Sequence, residues 1–151
     1  MTEVVVPLPT RRDTVRFGRA LAGILAPSDL VVLEGPLGSG KTFLVRAVCR
    51  RLGLGAEKRV TSPTFSLVHE YETVPPVVHA DLYRLESDRE VRALGLLEQR
   101  EAGKVLLVEW GARHLRELGD DALLVTFEVS PRVVTVRGTG PISADRALAL
   151  L

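Results

Sequence analysis

Apolar positions along this chain follow two different spacings, and the changes of spacing predict its elements. The runs EVVVPL, DLVVLEG and KVLLVEW predict strands, and the last two have the unbroken apolar character of strands buried on both faces, as in a parallel sheet. TRRDTVRFGRALAGIL places Val15, Leu21 and Ile24 along one face, which predicts a helix that ends before Pro27. A second helix is expected from about Lys41 to Leu54.

The middle of the chain predicts a hairpin and a helix. TSPTFSLVHEYET alternates in strand fashion after Pro63 and would pair in antiparallel fashion with PVVHADLYRL. Ser87 is the expected N-cap for DREVRALGLLEQREAG, with Glu90 in the capping-box position, and this helix is expected to break or bend near Gly95.

The last third adds a short helix, GARHLRELG, that ends at Gly119, then a terminal hairpin of ALLVTFEVS and RVVTVRG, and then a small helix, SADRALALL. Strands that alternate with helices before an added hairpin predict an α/β fold of three layers with a mixed central sheet. Residues 1–151 are expected to form a single domain.

Charge and composition narrow the classes of function. The formal net charge is only +1, so no general field would hold the protein on nucleic acid or on a membrane. Cys49, the lone cysteine in an apolar pattern, excludes a disulfide within the chain. No apolar run reaches the roughly 20 residues of a membrane span, and the start lacks a signal-peptide pattern, so the expected location is cytoplasmic.

GPLGSGKT satisfies the phosphate-loop pattern and lies between a predicted strand and a predicted helix. Glycines allow a tight turn whose N–H groups meet phosphate oxygens at a helix N-terminus. Lys41 would reach the β- and γ-phosphates, and the Thr42 hydroxyl would bind Mg²⁺. The sequence therefore predicts a nucleotide site made by Gly35, Gly38, Ser39, Gly40, Lys41, Thr42 and Phe43.

Acidic residues end two predicted strands, where ligands gather in open α/β sheets. Glu109 ends VLLVE and is expected to hold Mg²⁺, and Asp81 ends VVHAD as a second acid near the metal or the attacking water. His79 would share a strand face with Asp81, and either it contacts the site or it is only a hydrogen-bonded strand histidine. Trp110 follows the metal acid and either lies at the site or fills the core. Ser62 and Thr64 offer hydroxyls in TSPTF, a predicted loop where GTPases carry a phosphate-sensing switch, and the alternative is a turn with hydroxyl caps that leads into a strand.

The blocks GPLGSGKT, TSPTFSLVHEY, HADLYRL and VEW, in this order, resemble the TsaE (YjeE) family of bacterial P-loop ATPases over nearly the whole chain. The resemblance implies a P-loop NTPase fold, ATP and Mg²⁺ as cofactors, and a role in making N6-threonylcarbamoyladenosine beside the tRNA anticodon. It also implies TsaD and TsaB as partners, with tRNA contacted indirectly through the complex.

The family's functional residues fall on positions already singled out. Its phosphate-loop residues correspond to Lys41 and Thr42, and its strand-end acids to Asp81 and Glu109. The resemblance further implies switch-like roles for Ser62, Thr64 and Trp110 and an adenosine end lined by Thr10, Arg11 and Arg132. Pro36 and Ser39 depart from the family pattern, and Pro36 removes one N–H from the loop.

Three other functions use the same loop. A small-molecule kinase needs an acceptor pocket and a lid, for which 151 residues leave little room. A GTPase lacks its guanine-reading motif here, because the chain has no Asn. A nucleotide-gated scaffold would need binding without hydrolysis. For the ATPase, the residues leave open whether Asp81 or Glu109 orients the water, and Arg84 is a candidate arginine finger in cis.

Overall fold

The computed structural model describes residues 3–151, and there the chain forms one seven-stranded sheet with helices on both faces. The strands are β1 (Glu3–Pro7), β2 (Leu30–Glu34), β3 (Val68–Tyr71), β4 (Val77–Asp81), β5 (Val105–Glu109), β6 (Leu123–Val129) and β7 (Arg132–Gly138). The α-helices are α1 (Arg11–Ile24), α2 (Lys41–Arg51), α3 (Asp88–Ala93), α4 (Leu96–Glu101) and α5 (Pro141–Leu148). None of these helices is long and apolar enough to cross a bilayer within residues 3–151.

The sheet is mixed, with the order β1-β7-β6-β2-β5-β4-β3. Strands β6, β2, β5 and β4 run parallel, whereas β3 and the pair β7 and β1 add antiparallel edges. In the parallel pairing of β4 with β5, Asp81 lies opposite Glu109. The two predicted acids therefore end neighbouring strands at the same edge of the sheet.

Two apolar cores cover the two faces of this sheet. On one face, Val31 and Leu33 of β2 pack with α1, α2 and α5. On the other face, Leu30 and Val32 pack with α3, α4 and the turns that follow β5. The unbroken apolar run of β2 thus reflects burial on both sides, and the predicted three-layer α/β fold with a mixed sheet and a terminal hairpin is confirmed.

Three predicted elements differ from the structure. The strand predicted after Pro63 begins only at Val68, because the preceding residues form a loop in which the Leu67 N–H donates to the Pro63 carbonyl (2.7 Å). GARHLRELG forms two 3₁₀ turns instead of an α-helix, Ala112–His114 and Arg116–Leu118.

The last helix begins at Pro141 instead of Ser143, because proline suits the first helical position and the Ser143 hydroxyl accepts from the Gly140 N–H (3.1 Å). The other helix boundaries follow their local signals. Ser87 and Glu90 form the predicted capping box of α3. Gly95 has a φ of 73° and separates α3 from α4, so the predicted break is confirmed.

Candidate nucleotide site

The loop between β2 and α2 holds its glycines in conformations that other residues rarely adopt. Gly35, Gly38 and Gly40 have φ values of 143°, 77° and 108°. At Gly35, a Cβ atom would lie 2.8 Å from Phe127 Cβ and 2.9 Å from the Phe127 carbonyl oxygen. The glycine at this position is therefore required both by the backbone angle and by the neighbouring strand.

Lys41 begins α2 and turns its side chain back over the loop. Its ammonium donates to the carbonyl oxygens of Gly35 and Pro36, the second at 3.1 Å, and lies 4.5 Å from the centre of the Trp110 ring. Burial lowers the pKa of Lys41, whereas the charges of Glu109, Asp81 and Glu34 oppose this shift. The loop therefore contains a buried cation, which suits a phosphate-bearing ligand, and the carboxylates near it suit a metal cation.

Glu109 is the buried end of β5 and has two hydrogen-bond partners on one oxygen. Its Oε2 accepts from the Thr42 hydroxyl (3.0 Å) and lies 2.6 Å from Nε2 of His79. Since a carboxylate only accepts, His79 donates from Nε2, and its buried Nδ1 has no hydrogen-bond partner in the described chain. The strand histidine thus orients the predicted metal acid toward the first turn of α2.

Asp81 connects the end of β4 to the TSPTF loop. Its Oδ2 accepts from the hydroxyls of Ser62 (3.1 Å) and Thr64 (3.4 Å), which themselves lie 2.9 Å apart. Its Oδ1 accepts from the Tyr83 N–H at 3.0 Å. The predicted switch segment is therefore held to the sheet edge by one carboxylate, which also explains why the strand predicted after Pro63 begins only at Val68.

Trp110 follows Glu109 in a left-handed conformation with a φ of 61°. Its backbone N–H donates to the Leu33 carbonyl of β2 (3.0 Å), and the centre of its ring lies 5.0 Å from the centre of the Tyr83 ring. Such a conformation costs a non-glycine residue about 1 to 3 kcal/mol and persists only when its surroundings impose it. In this conformation the indole lies over the Lys41 ammonium, 4.5 Å from it.

These side chains surround a cavity of about 580 Å³ at the ends of the parallel strands. The predicted residues on its wall are Arg11, Gly38, Gly40, Lys41, Thr42, Phe43, Ser62, Thr64, Asp81, Arg84, Glu109, Trp110 and Arg132. Three other predicted residues, Thr10, Gly35 and Ser39, do not line it. Thr10 caps α1 by accepting from the Asp13 N–H (3.3 Å). Gly35 packs against Phe127, and Ser39 is buried within the loop.

Sequence reasoning missed three residues of this site. Leu37 and Tyr83 line the cavity, and the pKa of Glu34 is raised mainly by burial beside the loop. The position of Leu37 inside GPLGSGKT and that of Tyr83 inside HADLYRL were signals that pointed to them. Glu34 gave a weaker signal, as a third acid that ends a buried strand.

The residues present fit Mg²⁺ as part of a nucleotide complex. No group of three or more His, Cys, Asp or Glu side chains within residues 3–151 could hold a metal alone. Mg²⁺ is usually bound by one or two protein oxygens together with phosphate oxygens and water. The hydroxyl of Thr42 and the carboxylate of Glu109, 3.0 Å apart, supply such a pair. Ser39 adds a buried hydroxyl without a partner in the described residues.

Sequence comparisons match this chain over most of its length. The family model described as "Threonylcarbamoyl adenosine biosynthesis protein TsaE" matches residues 8–134. A Streptomyces coelicolor protein, "tRNA threonylcarbamoyladenosine biosynthesis protein TsaE", is 38% identical over 145 residues, which cover 89% of this chain and 97% of that one. A Rickettsia bellii protein with the same description is 39% identical over 111 residues, covering 72% and 76% of the two chains.

The fold has a solved counterpart as well. The crystal structure of Bacillus subtilis YdiB superposes with a TM-score of 0.80 at 25% identity. The match covers 99% of this chain and 94% of that one. The similarity therefore includes the edge strands and the terminal hairpin as well as the parallel centre.

Proposed function

The chain belongs to the TsaE family of tRNA threonylcarbamoyladenosine biosynthesis proteins, and we propose that it binds ATP with Mg²⁺ and hydrolyses it for this modification. In this proposal it works in the cytoplasm with TsaD and TsaB, and hydrolysis drives a conformational step in the partner instead of the carbamoyl transfer itself. One observation supports the ATPase proposal above the others. Lys41, Thr42, Asp81 and Glu109 lie around one cavity.

Each of these residues has a separate task in the proposed reaction. The loop N–H groups and the Lys41 ammonium bind the phosphates, and Trp110 shields the ammonium from water on one side. Thr42 and Glu109 would hold Mg²⁺, which supplies positive charge that neutralises the phosphate oxygens as the γ-phosphoryl group leaves. His79 keeps Glu109 turned toward Thr42.

Asp81 is the acid that we assign to the water side of the reaction. Glu109 already has Thr42 and His79 on one oxygen, whereas Asp81 accepts from the two hydroxyls of the TSPTF loop. Loss of the γ-phosphate on hydrolysis would therefore alter the position of Asp81 and, through it, the hydrogen bonds of Ser62 and Thr64, as expected of a switch segment. In this scheme Asp81 orients the attacking water for in-line displacement.

The rim of the cavity supports a site that a partner completes. Leu37 and Phe65 are 74% and 86% exposed, and Arg84 lies 4.9 Å from the Phe65 ring instead of inside the phosphate loop. Exposed apolar side chains beside a binding site are typical of protein interfaces. We infer that TsaD or TsaB covers this rim and brings the site to full activity.

Turnover measurements test the proposal. ATP hydrolysis is measured for the isolated protein and for the protein with TsaD and TsaB, each with Mg²⁺ and with a chelator. We expect slow turnover alone, a rise of about ten-fold or more with the partners, and none without Mg²⁺. Equal rates with and without partners would contradict partner completion, and transfer of phosphate to a metabolite would favour a kinase.

A further inference from the structure

Basic side chains line a groove on the outer surface of α1 and α2. A cavity of about 580 Å³ between these helices is lined by Arg11, Arg19, Arg46, Arg50 and Arg51, together with small and apolar residues. A second cavity, of about 310 Å³, shares Arg46 and Arg50 and adds Lys58 and Arg59. Neither lining contains an acidic residue. We call this continuous surface the arginine groove.

The packing of the two helices creates the groove. A Cβ at Gly18 would lie 2.5 Å from Cβ of Ala47, so the helices approach closely at this point. Arg19 and Arg46 are the sequence neighbours of these two small residues, and both are exposed and line the same cavity. Because helix positions four apart share a face, Arg46 and Arg50 continue one stripe along α2.

The cations of the groove have few internal partners. Arg19, Arg46, Arg51, Lys58 and Arg59 form no ion pair within residues 3–151. Arg50 differs, because its guanidinium donates to the backbone carbonyls of Gly55 (2.8 Å) and Lys58 (2.6 Å) and so holds the loop that carries the last two cations.

Positive charge is concentrated here although the chain as a whole is almost neutral. Residues 42–60 contain five basic side chains, all of which line the groove, and one acid, Glu57, whereas the whole chain carries a net charge of +1. Like charges on one helix face repel each other. Such a surface is expected where an anionic partner compensates the repulsion.

We propose that the arginine groove binds the sugar-phosphate backbone of tRNA directly. Guanidinium groups bind pairs of phosphate oxygens, and the two cavities of the groove are lined by six arginines and one lysine. A surface that binds an acidic protein or a membrane is expected to carry exposed apolar side chains as well as charge. None of the large hydrophobic residues exposed in the described chain lines the groove.

The groove also adjoins the nucleotide site. Arg11 and Phe43 line both the nucleotide cavity and the first groove cavity, and Arg11 lies 5.7 Å from the Phe43 ring. RNA on the groove would therefore reach the edge of the ATP site. This inference goes beyond the proposed ATPase activity, because ATP binding and hydrolysis do not require the groove. Only the choice of tRNA, instead of another RNA, rests on the proposed function.

Binding of a fluorescein-labelled, unmodified tRNA transcript, followed by fluorescence anisotropy from about 50 to about 200 mM salt, tests the inference. The test variant is R19E/R46E, which reverses two charges of the groove outside the nucleotide cavity. The matched control is R89E/R116E, which reverses two exposed charges on α3 and the turn after β5, against the opposite sheet face. ATP affinity is measured for every variant as a check of the fold, and R19Q and R46Q replace the double variant if it does not fold.

We expect the unaltered protein to bind tRNA and R19E/R46E to bind it about ten-fold or more weakly. The slope of log affinity against log salt concentration should fall in R19E/R46E by the amount expected for about two lost phosphate contacts. R89E/R116E should change the affinity by less than about two-fold. No binding at about 50 mM salt, or equal losses in both variants, would overturn the inference. So would displacement of tRNA by poly-glutamate or by phosphatidylglycerol vesicles as effectively as by unlabelled tRNA. None of these results bears on ATP turnover with TsaD and TsaB, so the two proposals fail separately.

Discussion

Nε2 of His79 lies 2.6 Å from Oε2 of Glu109, and both side chains are buried between β4 and β5. The same carboxylate oxygen accepts from Thr42. A buried carboxylate that loses one of its donors keeps the desolvation cost without the compensating bond. The pair therefore links the stability of the sheet edge to the position of the metal acid.

Replacing His79 with Leu should lower the free energy of unfolding by about 1 to 3 kcal/mol, because Glu109 loses a buried donor. It should also raise the Mg²⁺ concentration needed for half-maximal ATP turnover, since the carboxylate is no longer held toward Thr42. Urea denaturation and a Mg²⁺ titration measure the two effects. His69→Gln, on the partly exposed strand β3, should change stability by less than about 0.5 kcal/mol. Equal effects of both variants would contradict the positioning role.

Replacing Gly35 with Ala should destabilise the protein by about 2 kcal/mol or more and weaken ATP binding. The added Cβ would contact Phe127 at 2.8 Å, and the φ of 143° is unfavourable for alanine. Gly23→Ala is the matched control. Gly23 lies in α1 with no atom within 4 Å of the added Cβ, so the same substitution there should stabilise by about 0.5 to 1 kcal/mol. Thermal unfolding and ATP titration decide between these outcomes, and a harmless G35A would refute the packing argument.

The double substitution Ser62→Ala with Thr64→Val should lower the turnover number more than it weakens ATP binding. The two hydroxyls contact Asp81 instead of the phosphate loop, so their loss frees the acid without removing a phosphate donor. Separate measurement of the ATP dissociation constant and of kcat gives the comparison. Ser66→Ala removes a hydroxyl of the same loop that contacts His69 instead of Asp81, and it should leave both quantities nearly unchanged. A loss confined to ATP affinity would argue against the switch role.

Cys49 provides a pH-dependent test of core burial. Burial raises the pKa of its thiol from 9.0 to about 12. As pH rises above 9.0, the unfolded chain loses this proton while the folded chain keeps it. The free energy of unfolding should therefore fall with pH, by about 1.4 kcal/mol per pH unit from this group. The stabilisation from the buried thiol is fully present below pH 9.0 and is lost as the pH rises from 9.0 to about 12.

Urea denaturation of the protein and of Cys49→Ala at several pH values isolates this contribution, because the other titrating groups are shared. The stability difference between the two proteins should narrow as pH rises above 9.0. A difference that stays constant with pH would show that the thiol ionises equally in both states.

The sheet and the phosphate loop were predictable because their signals are local. An unbroken apolar run such as DLVVLEG has few alternatives to a strand buried on both faces. The capping box at Ser87 and the break at Gly95 depend on neighbours in sequence, and both are found in the structure. The acids Asp81 and Glu109 were predicted to meet because carboxyl ends of parallel strands share one edge.

The start of β3 was not predictable in the same way. The alternating residues after Pro63 predict a strand from there, yet β3 begins only at Val68. The Asp81 carboxylate, 17 residues along from Thr64, accepts from the hydroxyls of Ser62 and Thr64 and keeps this part of the chain in a loop. The 3₁₀ turns after Trp110 likewise follow from tertiary packing, because they bury Leu118 in the core on one face of the sheet. The arginine groove depends on how closely α1 approaches α2 at Gly18 and Ala47, which no pattern within one helix reveals.

The most direct test of the proposed ATPase is Glu109→Gln in a strain whose only copy of the gene carries this change. The amide keeps the size of the side chain and its contact with Thr42 but removes the charge needed to hold Mg²⁺. Glu101→Gln, at the exposed end of α4, is the matched control.

We predict that E109Q binds ATP within about three-fold of the unaltered protein, loses hydrolysis by about 100-fold or more, and abolishes N6-threonylcarbamoyladenosine in bulk tRNA nucleosides. E101Q should retain all three properties. If E109Q stops hydrolysis while the modified nucleoside remains at its normal level, hydrolysis is dispensable and the protein acts as a nucleotide-gated scaffold.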